Sequence, residues 1–141
     1  MIQKIKLTEY VQKYGENWAD EMPENCPPKD VCTADGDIFY RFTKERNVIN
    51  PSDWQNYRTL FPNRRWTKEE IILAAGLSLS DTPDRILKER KLPGVKKLPW
   101  KGLAKISLIP EDGVVLQTMK DVHHYTWWRT TKCDLSKAEL I

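Results

Sequence analysis

Glycine, cysteine and histidine are scarce in this chain of 141 residues, which holds six, three and two of them. So few glycines leave little room for a phosphate-cradling loop, and neither a nucleophile elbow nor a His-Glu-x-x-His helix is present. Cys26, Cys32 and Cys133 form no even framework for disulfides, which points to a reducing compartment such as the cytoplasm. Cys26 and Cys32 are separated by five residues, wider than the usual gap of a closed zinc site. His123 and His124 are adjacent, and on a strand their rings point to opposite faces. No metal and no cofactor are therefore expected. No apolar run approaches the roughly 18 residues of a membrane span, so no membrane association is expected. Lys4 and Lys6 near the start have no apolar run behind them, which argues against a secretory signal. There is no internal repeat or low-complexity tract.

What is present is an ordinary globular composition, 40% hydrophobic and 30% charged, of a length suited to one domain. The net charge of +3 is unevenly placed. Residues 1–37 hold four Lys against eight acids, whereas 38–141 hold nineteen Lys or Arg against twelve acids. The expected layout is a single domain, with an acidic helix and irregular wrap over 1–37 and a basic core over 38–141. Such a core attracts anionic partners.

Thr8–Tyr14 reads as a short helix stopped by Gly15. From Trp18 to Asp37, three prolines and many acids predict irregular chain. Asp37–Lys44 is rich in aromatic and β-forming residues and predicts a strand, with Ile38, Tyr40 and Phe42 on one face and Phe39, Arg41 and Thr43 on the other. Pro51–Trp54 predicts a turn or one helical turn. Thr67 with Glu70 forms a capping box and Gly76 a stop, which places a helix over Lys68–Ala75. Leu77–Ser80 is a short strand. A second helix is expected over Pro83–Lys91, with Pro83 at its first position, followed by a loop over Leu92–Gly102. Leu103–Ile109 and Val114–Met119 read as strands joined by the turn Pro110–Gly113, with Val122–Thr130 as a third strand beside them. The fold class is α+β: two short central helices packed on a mainly antiparallel sheet with a C-terminal meander.

The densest chemistry lies in His123-His124-Tyr125-Thr126-Trp127-Trp128-Arg129. On a strand, His123, Tyr125, Trp127 and Arg129 share a face, an aromatic and basic strip suited to stacking a base and pairing a phosphate. The bland alternative is that these rings fill the core. Because Trp127 and Trp128 must point oppositely, one should be core and the other partly exposed, and the polar company of Trp127 makes it the exposed one. Arg41, flanked by Tyr40 and Phe42, needs an acceptor, either Asp53 in an ion pair or a ligand anion. Further basic and aromatic clusters, Tyr57, Arg58, Arg64, Arg65, Trp66 and Lys68, then Lys96, Lys97, Trp100 and Lys101, have the composition of an anion or nucleic-acid surface, or of a solvated face with anchoring rings.

Tyr40-Arg41 on an early strand, followed by Gly76-Leu77-Ser78-Leu79-Ser80, is similar in order to ADP-ribosyltransferase-like domains over about residues 38–130. That resemblance implies that Arg41 meets a nicotinamide dinucleotide and that Ser78 or Ser80 fills the second site position. The third, a catalytic glutamate, has no match: Glu111 sits in a turn and the 123–129 strand holds no acid. The chain is also similar to small bacterial proteins in which paired histidines precede paired tryptophans near the end, a likeness that implies no activity. Together these features predict a non-catalytic recognition domain for a nucleotide, a nucleic acid or an acidic protein surface. The ligand residues expected are Tyr40, Arg41, Ser78, His123, Tyr125, Trp127 and Arg129. The other readings are a transferase-like enzyme using Arg41, and a protein-partner adaptor using exposed tryptophans.

Overall fold

The structure, a computed structural model, describes residues 1–84 and 101–141. In chain order these form β1 (Gln3–Lys6), α1 (Leu7–Tyr14), β2 (Asp30–Thr33), β3 (Asp37–Thr43), α2 (Tyr57–Leu60), α3 (Lys68–Ala74), β4 (Leu77–Ser80), β5 (Gly102–Leu108), β6 (Gly113–Gln117), β7 (His124–Arg129) and β8 (Glu139–Leu140). The strands make one antiparallel sheet in the order β1-β2-β6-β7-β4-β3-β5-β8. The α+β class holds. Most of the expected helix Pro83–Lys91, and the loop 92–102 up to Trp100, lie outside the described residues.

Chain connectivity forces this sheet to curl. β2 and β3 are four places apart in the sheet, about 19 Å at the usual strand spacing if the sheet were flat. Only Ala34, Asp35 and Gly36 join them, and that length of extended chain reaches about 14 Å. β5 and β6 are also four places apart and are joined by a short 3-10 turn, Pro110–Asp112. Both links fit once the two wings of the sheet fold toward each other.

The expected C-terminal meander is thereby revised. β6 and β7 do form a hairpin, but β5 pairs with β3 and β8 on the opposite wing. The Pro110–Gly113 turn crosses the open side of the curl and closes no hairpin. Gly113, at φ 131°, is needed where that crossing meets β7: a Cβ there would lie 2.2 Å from the Trp128 carbonyl. Residues 1–37 are also more than a wrap, since β1 and β2 belong to the same sheet.

Curling gives the sheet two cores. On the inner face, Phe39, Leu77, Leu79, Ile106, Leu108, Val115 and Trp127 pack together, capped by Trp54 from the 3-10 turn Pro51–Trp54. The Trp54 and Trp127 rings meet edge to face, 6.3 Å between centroids. On the outer face, α1 and α3 cover one half, where Tyr10, Val31, Val114 and Trp128 are buried. Trp127 and Trp128 do point oppositely, yet both are 0% exposed. The expected exposed tryptophan is absent because each face of β7 is covered, one by the curl and the other by helices.

Candidate functional site

The uncovered half of the outer face is the floor of a cleft of about 740 Å³. Strand register builds that floor. Tyr40, Ser80 and His124 lie in one cross-strand row, and Phe42, Ser78 and Thr126 lie beside it. One wall rises from the chain between the sheet and α3. The Asn56 side chain caps α2 by accepting from the Thr59 N–H at 2.9 Å, and its amide donates to the Ala75 carbonyl at 2.9 Å. On the wall so anchored, Tyr57 and Phe61 stack one turn apart at 6.0 Å. Arg64 lies over the Trp66 ring, 4.3 Å from its centroid. The capping box of α3, in which Thr67 and Glu70 each accept from the other's backbone N–H, closes that wall.

Charge is distributed unevenly among the lining groups. The Asp53 carboxylate accepts backbone N–H bonds from Lys44 and Asn50 at 2.8 and 2.7 Å. Glu70 accepts from the Thr67 N–H, and that bond, more than the nearby Arg64, holds its carboxyl below the usual range. Asp121 accepts from the His123 N–H at 3.0 Å. Lys44 and Arg64 have no carboxylate partner among the described residues. The lining carboxylates thus have backbone donors, while Lys44 and Arg64 carry charge into the cleft lining without a carboxylate among the described residues.

Arg41 makes no ion pair with Asp53 among the described residues. Its Nε donates to the Asp53 carbonyl at 2.7 Å, and its terminal nitrogens donate to the Ser78 and Gln55 carbonyls at 2.9 and 3.3 Å. Asp53 is its neighbour through a main-chain oxygen, without an ion pair. Burial lowers the pKa of the guanidinium from its ordinary value. Arg41 ties the 3-10 turn to β4 from beneath the cleft.

The remaining expected site residues separate. Tyr40, Ser78, Arg64 and Trp66 line the cleft with Arg41. His123 does not: it is exposed before β7, with Nδ1 2.8 Å from the Asp81 carboxylate. Tyr125, Trp127 and Arg129 face the inside of the curl, where Tyr125 meets Phe39 edge to face at 5.3 Å. Burial raises the Tyr125 phenol above its ordinary pKa. Arg58 donates to the Glu21 carbonyl at 3.0 Å, and Arg65 and Lys101 are exposed. Lys96, Lys97 and Trp100 lie outside the described residues.

Comparison with known protein families, curated proteins and solved structures returns no match. The chemistry of the cleft is therefore read from its own groups. Phe42 and Phe61 were not singled out by sequence, Tyr57 was read only as part of a basic and aromatic cluster, and His124 and Thr126 were placed on the other face of their strand and not among the ligand residues. The four-residue spacing of Tyr57 and Phe61 was an available signal for a stacked pair, and the alternate face of the 123–129 strand was the signal for His124 and Thr126. Thr118 Oγ1 lies 2.9 Å from His124 Nδ1 and 2.8 Å from Thr126 Oγ1. Ser80 Oγ donates to the Thr82 carbonyl at 2.9 Å and accepts from the Thr82 N–H, a local turn. Among the described residues no three His, Cys, Asp or Glu gather as metal ligands. The arrangement suits binding: rings for stacking, hydroxyls for hydrogen bonds and two cations for an anion.

Proposed function

We propose that this is a recognition domain whose cleft holds a small anionic ligand bearing an aromatic ring, of nucleotide size. The observation that carries the reading is the wall itself, where the Tyr57–Phe61 stack and the Arg64–Trp66 pair line a cleft of about 740 Å³. That volume lies within the roughly 300–1,000 Å³ typical of small-ligand sites. Rings on such a wall accept a base by stacking, and Lys44 and Arg64 supply charge for a phosphate or carboxylate. The hydroxyls of Ser78 and Thr126 on the floor supply polar contacts.

Calorimetry with adenosine 5′-monophosphate, adenosine and inorganic phosphate tests the reading. The monophosphate should bind more tightly than either of its parts. Arg64→Ala should weaken it about tenfold, the loss of one charge-assisted contact. No heat from the monophosphate at millimolar concentration, with the protein folded, removes the nucleotide-sized ligand from consideration.

A further inference from the structure

A three-residue chain of hydrogen-bonding groups reaches the cleft floor, and the recognition reading uses only its Thr126 end. Thr118 follows β6 and does not itself line the cleft, whereas His124 and Thr126 do. Its backbone is fixed, since its N–H donates to the His124 carbonyl at 2.9 Å. Its single hydroxyl stands within hydrogen-bond distance of both His124 Nδ1 and Thr126 Oγ1, at 2.9 and 2.8 Å. A hydroxyl has one proton to donate and two lone pairs, so it can donate to only one of these neighbours at a time.

We infer that Thr118 is a positioning residue that passes the protonation state of His124 to Thr126, and so sets what the Thr126 hydroxyl offers a ligand. When the neutral ring carries its proton on Nε2, Nδ1 is bare; Thr118 then donates to the ring and accepts from Thr126, leaving only Thr126 lone pairs for the cleft. With Nδ1 protonated, as in the imidazolium, the ring donates to Thr118 and Thr118 donates to Thr126. The Thr126 proton then turns to the ligand. One proton enters at His124 from solvent and two hydroxyl protons are re-aimed, so nothing is lost. Phosphate, carboxylate and carbonyl groups are acceptors and select the second arrangement, so their binding takes up a proton. The inference rests on the cleft reading and adds its specificity: acceptor ligands bound with proton uptake. The titratable or charged groups beside His124 in chain and register are Lys120, Asp121, whose carbonyl accepts the His124 N–H at 3.1 Å, His123, and Tyr40 in the same cross-strand row. Asp81 is engaged by His123.

The test has two arms, and Thr118→Val is the variant for both because it keeps the side-chain shape and removes the hydroxyl. The first needs no ligand. In the wild-type protein, the methyl carbon resonance of Thr126 should titrate with the midpoint of the His124 ring, lose that titration in Thr118→Val and regain it in Thr118→Ser. A Thr126 resonance that ignores His124 in the wild type overturns the relay. The second arm follows adenosine 5′-monophosphate affinity with pH. It should rise by up to about tenfold per pH unit as pH falls toward the His124 midpoint, the limit for one linked proton, level off below that midpoint, and lose this dependence in Thr118→Val. His124 still charges in that variant, so a pH dependence that survives there, beyond the probe's own phosphate protonation at about pH 6, comes from charge alone and overturns the relay. Failure of the monophosphate to bind at all sinks the cleft reading, while the first arm still decides the relay.

Discussion

Arg41 has three of its N–H groups directed to main-chain oxygens on two separate segments, the turn at Asp53 and Gln55 and strand β4 at Ser78. A lysine there has a compact charge without the planar fork, and it leaves carbonyls unsatisfied in a crowded site. Arg41→Lys should therefore lower stability by about 2 kcal/mol, measured as the shift of the urea midpoint; an unchanged midpoint would show that those carbonyls find water. The two tryptophans make a second residue-scale expectation. Trp127→Ala and Trp128→Ala should each cost about 3–5 kcal/mol, since each empties a fully buried site. A marked inequality would mean that one side of β7 collapses more readily than the other. Period-two alternation made the opposite orientation of these rings legible in advance. It did not reveal which face was wet, because both are covered, and covering depends on the curl and on helices distant in sequence. The same gap led the reading to His123 and the inward-facing Tyr125, Trp127 and Arg129 in place of His124 and Thr126.

Elements with local chemical signals were legible. Thr67, Glu70 and Gly76 bracket α3 to within a residue, since caps satisfy orphan N–H groups regardless of the tertiary fold. Gly15 ends α1 at φ 88°, and its N–H donates to the Val11 carbonyl. β1 and β2 left no such trace. They are four-residue strands, Gln3–Lys6 with two lysines at the sheet edge and Asp30–Thr33, and what makes them strands is distant pairing, β2 with β6 and β1 with β2. The cap of α3 matters to the cleft as well as to the helix, because Thr67 directly follows the Arg64–Trp66 pair. Thr67→Ala should lower stability by about 1 kcal/mol, read from the thermal midpoint, and should weaken monophosphate binding by loosening the wall. Intact affinity with the expected loss of stability would show that Arg64 and Trp66 hold their places without the cap.

At the scale of the whole molecule, the α+β class was readable from composition and element types, while strand order was not. Order depends on which distant segments pair, and no local signal tells β5 to cross the curl in place of turning back on β6. That curl creates an inner and an outer core, and each buries groups able to lose a proton. Cys133 belongs to the inner cluster and Cys26 packs against the outer one. Burial pushes the Cys26 thiol up to about 11 and the Cys133 thiol up to about 12, from an ordinary value of 9.0. Burial also raises the Tyr10 phenol, whose hydroxyl donates to the Pro110 carbonyl at 2.7 Å on the crossing turn. Each is an acid whose pKa is higher folded than unfolded. Its contribution is fully present below the unfolded value and is lost as pH rises toward the folded one, because the unfolded chain gives up protons that the native state keeps. The urea midpoint should therefore hold steady up to pH 9 and fall between pH 9 and about 11. Cys133→Ala should make that fall shallower, since it removes one of the linked protons. A midpoint that stays flat to pH 11 in the wild type would mean that water reaches the thiols and that the curl is less closed than its packing implies.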